Sequence, residues 1–89
     1  MAKNYRIEIS RTAERQLSAL PREDQLRVSR EIVSLGAEPC PPGTRKLSGD
    51  SDVYRIRVGR YRVIYTLEDE RLLIIVLKIG HRKDIYRNL

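Results

Sequence analysis

The chain has 89 residues, which suffices for one domain only, because a chain this short cannot bury two separate hydrophobic cores. Hydrophobic residues make up 40% of it and charged residues 34%, so a disordered chain is excluded and one polar-rich domain over residues 1–89 is expected. The 18 Lys and Arg against 12 Asp and Glu give a net charge of +6, which favours a polyanion as partner.

The positive charge is concentrated in the C-terminal part of the sequence. Residues 1–52 contain nine basic and eight acidic side chains, whereas residues 53–89 contain nine basic and four acidic ones. A single cysteine, Cys40, excludes an internal disulfide. The apolar run 72–77 is far shorter than the roughly 20 residues of a membrane span. We therefore expect a cytoplasmic protein that makes no membrane contact through a spanning segment and binds its partner through residues 53–89.

The N-terminal part predicts a strand followed by two helices. Residues 5–9 alternate between apolar and charged side chains, with the period of two of a strand. Ser10 is a suitable N-cap for a first helix, which ends against Pro21. The second helix ends at Gly36. Residues 37–50 contain three prolines and two glycines, which predicts a connecting loop.

The C-terminal part predicts three strands, over residues 53–58, 61–67 and 72–79. The last strand is apolar at both odd and even positions, as expected of an inner strand that is covered on both faces. The predicted fold class is therefore α+β in the order β-α-α-β-β-β. An antiparallel sheet packs against an N-terminal helical hairpin, and a short C-terminal tail or helix follows Gly80.

A tight turn at Gly59 and Arg60 determines how the first two of these strands pair. One face of the hairpin is then apolar, with Val58 opposite Tyr61, Ile56 opposite Val63 and Tyr54 opposite Tyr65. The other face has Arg57 opposite Arg62, with Arg55 one step along and Arg60 at the tip. Like charges directly opposed destabilise a sheet, so this pattern indicates a surface that binds phosphate groups. The alternative is a solvated face of a charge-rich protein.

A second basic segment closes the chain. It contains Lys78, His81, Arg82, Lys83 and Arg87, together with Tyr86 and the acid Asp84. In an antiparallel meander the end of the last strand lies beside the start of the strand at Tyr61, which is expected to bring His81 and Arg82 near Arg60 and Arg62. Tyr86 is suited to stack on a base or to offer its phenol to a reacting group, and its alternative role is to anchor the tail.

The strings YRIRVGRYRVIY and KIGHRKDIY resemble the RelE branch of the RelE/ParE toxin superfamily, and SRTAERQL and KLSGD occur in the family order. The resemblance implies an antiparallel sheet on two helices, an antitoxin partner in a hetero-oligomeric complex, and cleavage of mRNA in the ribosomal A site. It also implies site residues. Arg55 and Arg57 stand where that branch has two lysines, Arg62 and Arg82 at active arginines, and Tyr86 at the active tyrosine. Because arginine keeps its proton, Arg55 and Arg57 are expected to act electrostatically.

The predicted activity is that of a metal-independent endoribonuclease that binds ribosome and mRNA and needs no cofactor. The sequence has one histidine and no HExxH or clustered Cys/His spacing, which leaves no metal site to predict. The predicted catalytic residues are Arg57, Arg62 and Arg82, with Tyr86 or His81 moving the proton. The predicted RNA-binding residues are Lys46, Arg55, Arg60, Lys83 and Arg87. Two alternatives remain: a ParE-like inhibitor of DNA gyrase that acts through protein contacts, and an RNA-binding module without catalysis.

Overall fold

The computed structural model describes residues 4–47 and 52–81. Within them the chain forms, in order, β1 (Arg6–Ile9), α1 (Arg11–Ser18), α2 (Arg22–Ser34), β2 (Arg45–Lys46), β3 (Val53–Val58), β4 (Tyr61–Glu68) and β5 (Leu73–Gly80). The predicted strand, helical hairpin and three-stranded meander are therefore confirmed. In this described part, neither helix is long and apolar enough to cross a membrane.

The two helices begin where the sequence indicates, and they end at Ser18 and Ser34, shortly before the predicted stops at Pro21 and Gly36. Ser10 caps α1, because its Oγ accepts a hydrogen bond from the Ala13 backbone N–H at 3.0 Å. Pro21 precedes α2, where its missing N–H costs nothing. At the corner between the helices, the Gln25 amide donates to the Leu20 carbonyl oxygen at 2.8 Å. The corner thus holds α2 against α1 without a long linker.

The strands form one sheet in the order β1-β5-β4-β3-β2. Strands β3 to β5 are antiparallel, as predicted, and β5 is the predicted inner strand. β2 also pairs antiparallel with β3. β1 differs, since it pairs with β5 in parallel. Tight turns join β3 to β4 and β4 to β5 and force those neighbours to be antiparallel. β1 and β5 are far apart in sequence, so no turn determines their relative direction.

Strand β2 corrects the prediction of a loop over residues 37–50. Arg45 pairs with Arg55 and Lys46 with Tyr54 at the edge of the sheet. The three prolines and Gly43 indicate irregular backbone before β2. A two-residue edge strand is too short to show any periodicity. The pairing matters because it adds one more position to each face of the sheet.

The hydrophobic core lies between the helices and one face of the sheet. On the helix side, the core contains Ala13, Val28, Ile32 and, directly after α2, Leu35. On the sheet side, it contains the buried residues Ile56, Val58, Tyr61, Val63, Tyr65, Leu67, Ile74, Val76 and Ile79. The predicted cross-strand pairs Val58–Tyr61, Ile56–Val63 and Tyr54–Tyr65 are all present on this face. The helices therefore do not cover the opposite face of the sheet.

Candidate RNA-binding surface

Arg6 of β1 projects from the sheet face opposite the helices, which we call the cation face, and forms an ion pair with Glu8 there. Five further basic residues project from this face. They are Arg45 of β2, Arg55 and Arg57 of β3, Arg62 of β4 and Lys78 of β5. The strand register places them on two adjacent cross-strand rungs. Arg57 is directly opposite Arg62 on the first rung, and Arg45, Arg55 and Lys78 lie on the second around Ile64. The predicted Arg57–Arg62 opposition is thus confirmed.

Exposure divides these cations into three groups. Arg57 and Arg45 are exposed, and Arg62 and Lys78 are half-buried. Arg55 is only 6% exposed and interacts with other groups of the protein. Arg55 therefore lies on the predicted face, but its burial makes it a fixed internal charge instead of a mobile surface contact. Arg57 and Arg62 remain accessible to an anion.

The hairpin tip turns away from the cation face. The Arg60 Nη2 atom lies 3.5 Å from Asp24 Oδ2, and its guanidinium lies 5.6 Å from the centre of the Tyr61 ring. Tyr61 in turn donates its hydroxyl to Asp24 Oδ2 at 2.7 Å. The pKa of Arg60 is raised, mainly by its hydrogen bond and electrostatic interaction with Tyr61 and then by the negative charge of Asp24. The structure thus places Arg60 at the predicted tip but directs it towards α2.

His81 lies beyond the end of β5, where Gly80 is paired with Arg62. Its ring centroid is 5.8 Å from that of Tyr61, a residue of the core face. The imidazole therefore lies at the same end of the sheet as Arg62 but against the helix side. The predicted site residues Arg82, Lys83, Tyr86 and Arg87 lie outside the described residues.

Comparison with known proteins assigns the chain to a family. The sequence model of the ParE toxin of type II toxin-antitoxin systems matches residues 7–86. Toxin RelG of Mycobacterium tuberculosis is 33% identical in an alignment 91 positions long, which covers 93% of this chain and 97% of RelG. The chain belongs to the RelE/ParE toxin superfamily. This confirms the resemblance seen in the sequence.

Solved structures of RelE proteins share the fold. In the archaeal RelE-RelB complex from Pyrococcus horikoshii, the matched chain is 33% identical with a TM-score of 0.80, over 90% of this chain and 97% of that chain. In the toxin-antitoxin complex RelBE2 from Mycobacterium tuberculosis, the matched chain is 27% identical with a TM-score of 0.78. The match covers 89% of this chain and 99% of that chain. The α+β fold of this toxin is therefore that of the RelE structures.

Lys46 is not on the cation face of the toxin. It pairs with the core-face residue Tyr54, and its Nζ atom lies 6.0 Å from the centre of the Tyr54 ring. Alternation along β2 instead directs its neighbour Arg45 to the cation face. Sequence reasoning missed Arg45 because β2 was not recognised. The adjacent Arg-Lys pair was the available signal, since two successive strand residues face opposite sides.

Three acidic residues lie at the other end of the sheet from Arg57 and Arg62. Glu68 ends β4, and Asp69 and Glu70 form the turn after it. Glu68 lies six positions after Arg62, which corresponds to about 20 Å along a strand. Among the described residues, no group of three or more His, Cys, Asp or Glu is arranged to hold a metal ion. The cation face thus has a positive end and a negative end.

Proposed function

We propose that this toxin is a metal-independent endoribonuclease that cleaves mRNA in the ribosomal A site and so inhibits translation. The observation that carries the proposal is the direct opposition of Arg57 and Arg62 on the cation face. Two opposed cations destabilise an isolated sheet, whereas a phosphate between them would accept hydrogen bonds from both guanidinium groups. The similarity to RelG and to the RelE structures supports the RelE branch.

Cleavage would proceed by attack of the 2′-hydroxyl of the RNA on the adjacent phosphorus, with departure of the 5′-oxygen. Such a reaction needs a base for the hydroxyl proton, cations for the added negative charge, and an acid for the leaving oxygen. Arg57 and Arg62 supply the cations, and buried Arg55 adds a fixed positive charge behind them. Arg82 and Tyr86 are proposed from the resemblance as a further cation and as the proton-transferring group.

The position of His81 favours Tyr86 over His81 for the proton transfer. The imidazole packs on Tyr61, on the side of the sheet that faces the helices, whereas Arg57 and Arg62 project from the other side. A base must come within hydrogen-bond reach of the proton it removes. His81 is therefore proposed to contact RNA at the edge of the site, together with Lys83 and Arg87.

A cognate antitoxin is the proposed protein partner. The similar structure from Pyrococcus horikoshii is a RelE-RelB complex, and that from Mycobacterium tuberculosis is a toxin-antitoxin complex. An acidic, amphipathic antitoxin segment would complement the net charge of +6 and form a hetero-oligomer with the toxin in the cytoplasm.

Primer extension on ribosomes programmed with mRNA tests the activity. The wild-type protein is expected to create new RNA ends within codons at the A site, while Arg62→Ala and Tyr86→Phe abolish them. Arg30→Ala on the exposed side of α2 removes the same charge as Arg62→Ala and is expected to retain cleavage. Circular dichroism would establish that every variant is folded. The absence of new ends with folded wild-type protein would overturn the proposal.

Inhibition of DNA gyrase is the second candidate function, because the matching family model is that of ParE toxins. A supercoiling assay with purified gyrase separates the two. We expect no inhibition by the wild-type protein. Gyrase inhibition that survives both Arg62→Ala and Tyr86→Phe would instead favour a ParE-like mode of action. Salt-sensitive RNA binding without new RNA ends would indicate a binding module only.

A further inference from the structure

We propose that Arg45 and Lys78 bind RNA phosphates on either side of the phosphate held by Arg57 and Arg62, so that the RNA crosses the strands of the cation face. This inference rests on the proposed function and assigns a binding role to Arg45, which the sequence did not single out, and to Lys78, which the sequence placed only in the second basic segment. It depends on three features of the structure: a bulge in β5, the width of the second rung, and the distribution of charge.

The bulge directs Lys78 to the cation face. Tyr65 pairs with Val76 while Ile64 pairs with Lys78, so Leu77 is an additional residue in β5. Val76 and Ile79 are consequently both in the core although three positions separate them. In an uninterrupted strand, Lys78 would share the face of Val76 and point towards the helices. Bulges commonly redirect side chains beside functional sites.

The backbone around the bulge is held by α1 and the residue before it. Ser10 donates its hydroxyl to the Leu77 carbonyl oxygen at 2.9 Å and its backbone N–H to the Val76 carbonyl oxygen at 2.9 Å. The Gln16 side-chain oxygen accepts from the Ile79 N–H at 2.7 Å. Polar groups displaced from regular pairing thus find partners, so the bulge is a stable feature that fixes the direction of Lys78.

The second rung is wide enough for more than one phosphate. Arg45 is on β2 and Lys78 on β5, which are three strand spacings apart, or about 14 Å. Ile64 lies between the two cations on the same rung and is fully buried. Arg57 and Arg62 lie one rung away, between the strands that carry the outer cations. A strand of RNA that crosses from Arg45 to Lys78 would therefore pass the Arg57–Arg62 pair.

The charge distribution favours the same path. The next position beyond Ile64 on β4 is the neutral Thr66, and the acidic residue Glu68 comes after it. An RNA strand that ran along β4 would leave the cations and approach the acidic turn. A path across β2 to β5 passes Arg45, the Arg57–Arg62 pair and Lys78, and it meets no acidic residue on these two rungs. The charges on β2 to β5 thus favour a path across the strands over a path along β4 towards Glu68.

Salt dependence of RNA binding is the measurement that tests these contacts. The probe is a short single-stranded RNA with methylated 2′-hydroxyls, which the full-length toxin can bind but cannot cut by 2′-attack. Each lost phosphate contact should reduce the slope of log K against log salt by about 0.7. We expect this reduction for Arg45→Gln and for Lys78→Gln, with equal weakening across RNA sequences. Arg45→Lys should restore the slope.

Arg30→Gln is the matched control, because it removes one exposed positive charge from α2 without touching the sheet. If Arg45→Gln and Lys78→Gln change the slope no more than Arg30→Gln, the path across the strands is wrong and only general charge attraction remains. In the ribosome assay, both variants should raise the protein concentration needed for half-maximal cleavage. If wild-type protein cuts no mRNA but the oligonucleotide slopes change as expected, the cleavage proposal fails and the RNA path stands.

Discussion

The Ser10 hydroxyl donates a hydrogen bond to the Leu77 carbonyl oxygen at 2.9 Å across 67 positions of sequence. The same Oγ accepts from the Ala13 N–H, the first bond that caps α1. One side chain therefore fixes the start of the helix and the bulge in β5 together. Through the bulge, a helix on one side of the sheet determines the direction of a lysine on the other.

Ser10→Ala should lower the free energy of unfolding by about 1–3 kcal/mol, because it removes a helix cap and leaves the Leu77 carbonyl without this donor. Urea denaturation measures the loss. Ser34→Ala is the control, since the Ser34 hydroxyl bonds only to the Arg30 carbonyl oxygen within its own exposed helix turn. Its effect should stay within about 0.5 kcal/mol of zero. Equal losses in the two variants would contradict the coupling of cap and bulge.

Arg57→Thr should make the protein more stable and inactive at once. It removes one of two directly opposed arginines and introduces a residue that favours strands. We expect the free energy of unfolding, measured by urea denaturation, to rise by about 0.5 kcal/mol. Primer extension should show no new RNA ends. Added salt should stabilise the wild-type protein more than the variant, because it screens the Arg57–Arg62 repulsion.

Arg30→Gln is the reference for that comparison, as it removes a charge without an opposed partner across a strand pair. Loss of stability in Arg57→Thr, with Arg30→Gln unchanged, would mean that Arg57 contributes to folding and that its position needs no ligand to explain it.

The sequence predicted the part of the site that depends on local geometry. A two-residue turn at Gly59 fixes the register of β3 and β4, so the opposition of Arg57 and Arg62 could be obtained by counting residues. The direction of Arg60 could not, because it depends on Asp24 of α2, a contact between distant segments. Lys78 could not be placed either, since one inserted residue at Leu77 reverses the parity of the later residues of β5.

Tyr65 should make the protein sensitive to alkaline pH. Its ring is fully buried, its hydroxyl donates to the Pro39 carbonyl oxygen at 2.6 Å, and burial raises its pKa to about 12. In the unfolded chain this phenol ionises near its ordinary value of about 10. The neutral Tyr65 phenol therefore contributes fully to the stability of the fold below pH 10, and this contribution is lost as the pH rises from about 10 to about 12.

Tyr65→Phe tests this by urea denaturation across that pH range. At neutral pH the variant should be less stable, by about 1–2 kcal/mol, because the Pro39 carbonyl oxygen loses its donor. Above pH 10, its stability should fall less steeply than that of the wild-type protein. Parallel curves for the two proteins would show that the Tyr65 phenol does not govern the alkaline loss.

The contact of His81 with Tyr61 should be visible in the NMR spectrum. The chain has one histidine, so its imidazole Cε1–H gives a single assignable signal. Tyr61→Leu removes the ring that lies 5.8 Å away and should move that signal towards its value in the unfolded chain. Tyr61→Phe keeps the ring and should leave the signal near its original position. Tyr61→Phe should nevertheless lower the urea midpoint, because Asp24 Oδ2 loses the hydroxyl donor at 2.7 Å. If neither substitution moves the His81 signal, the imidazole does not contact Tyr61. His81 would then again be a candidate for proton transfer beside Arg57 and Arg62.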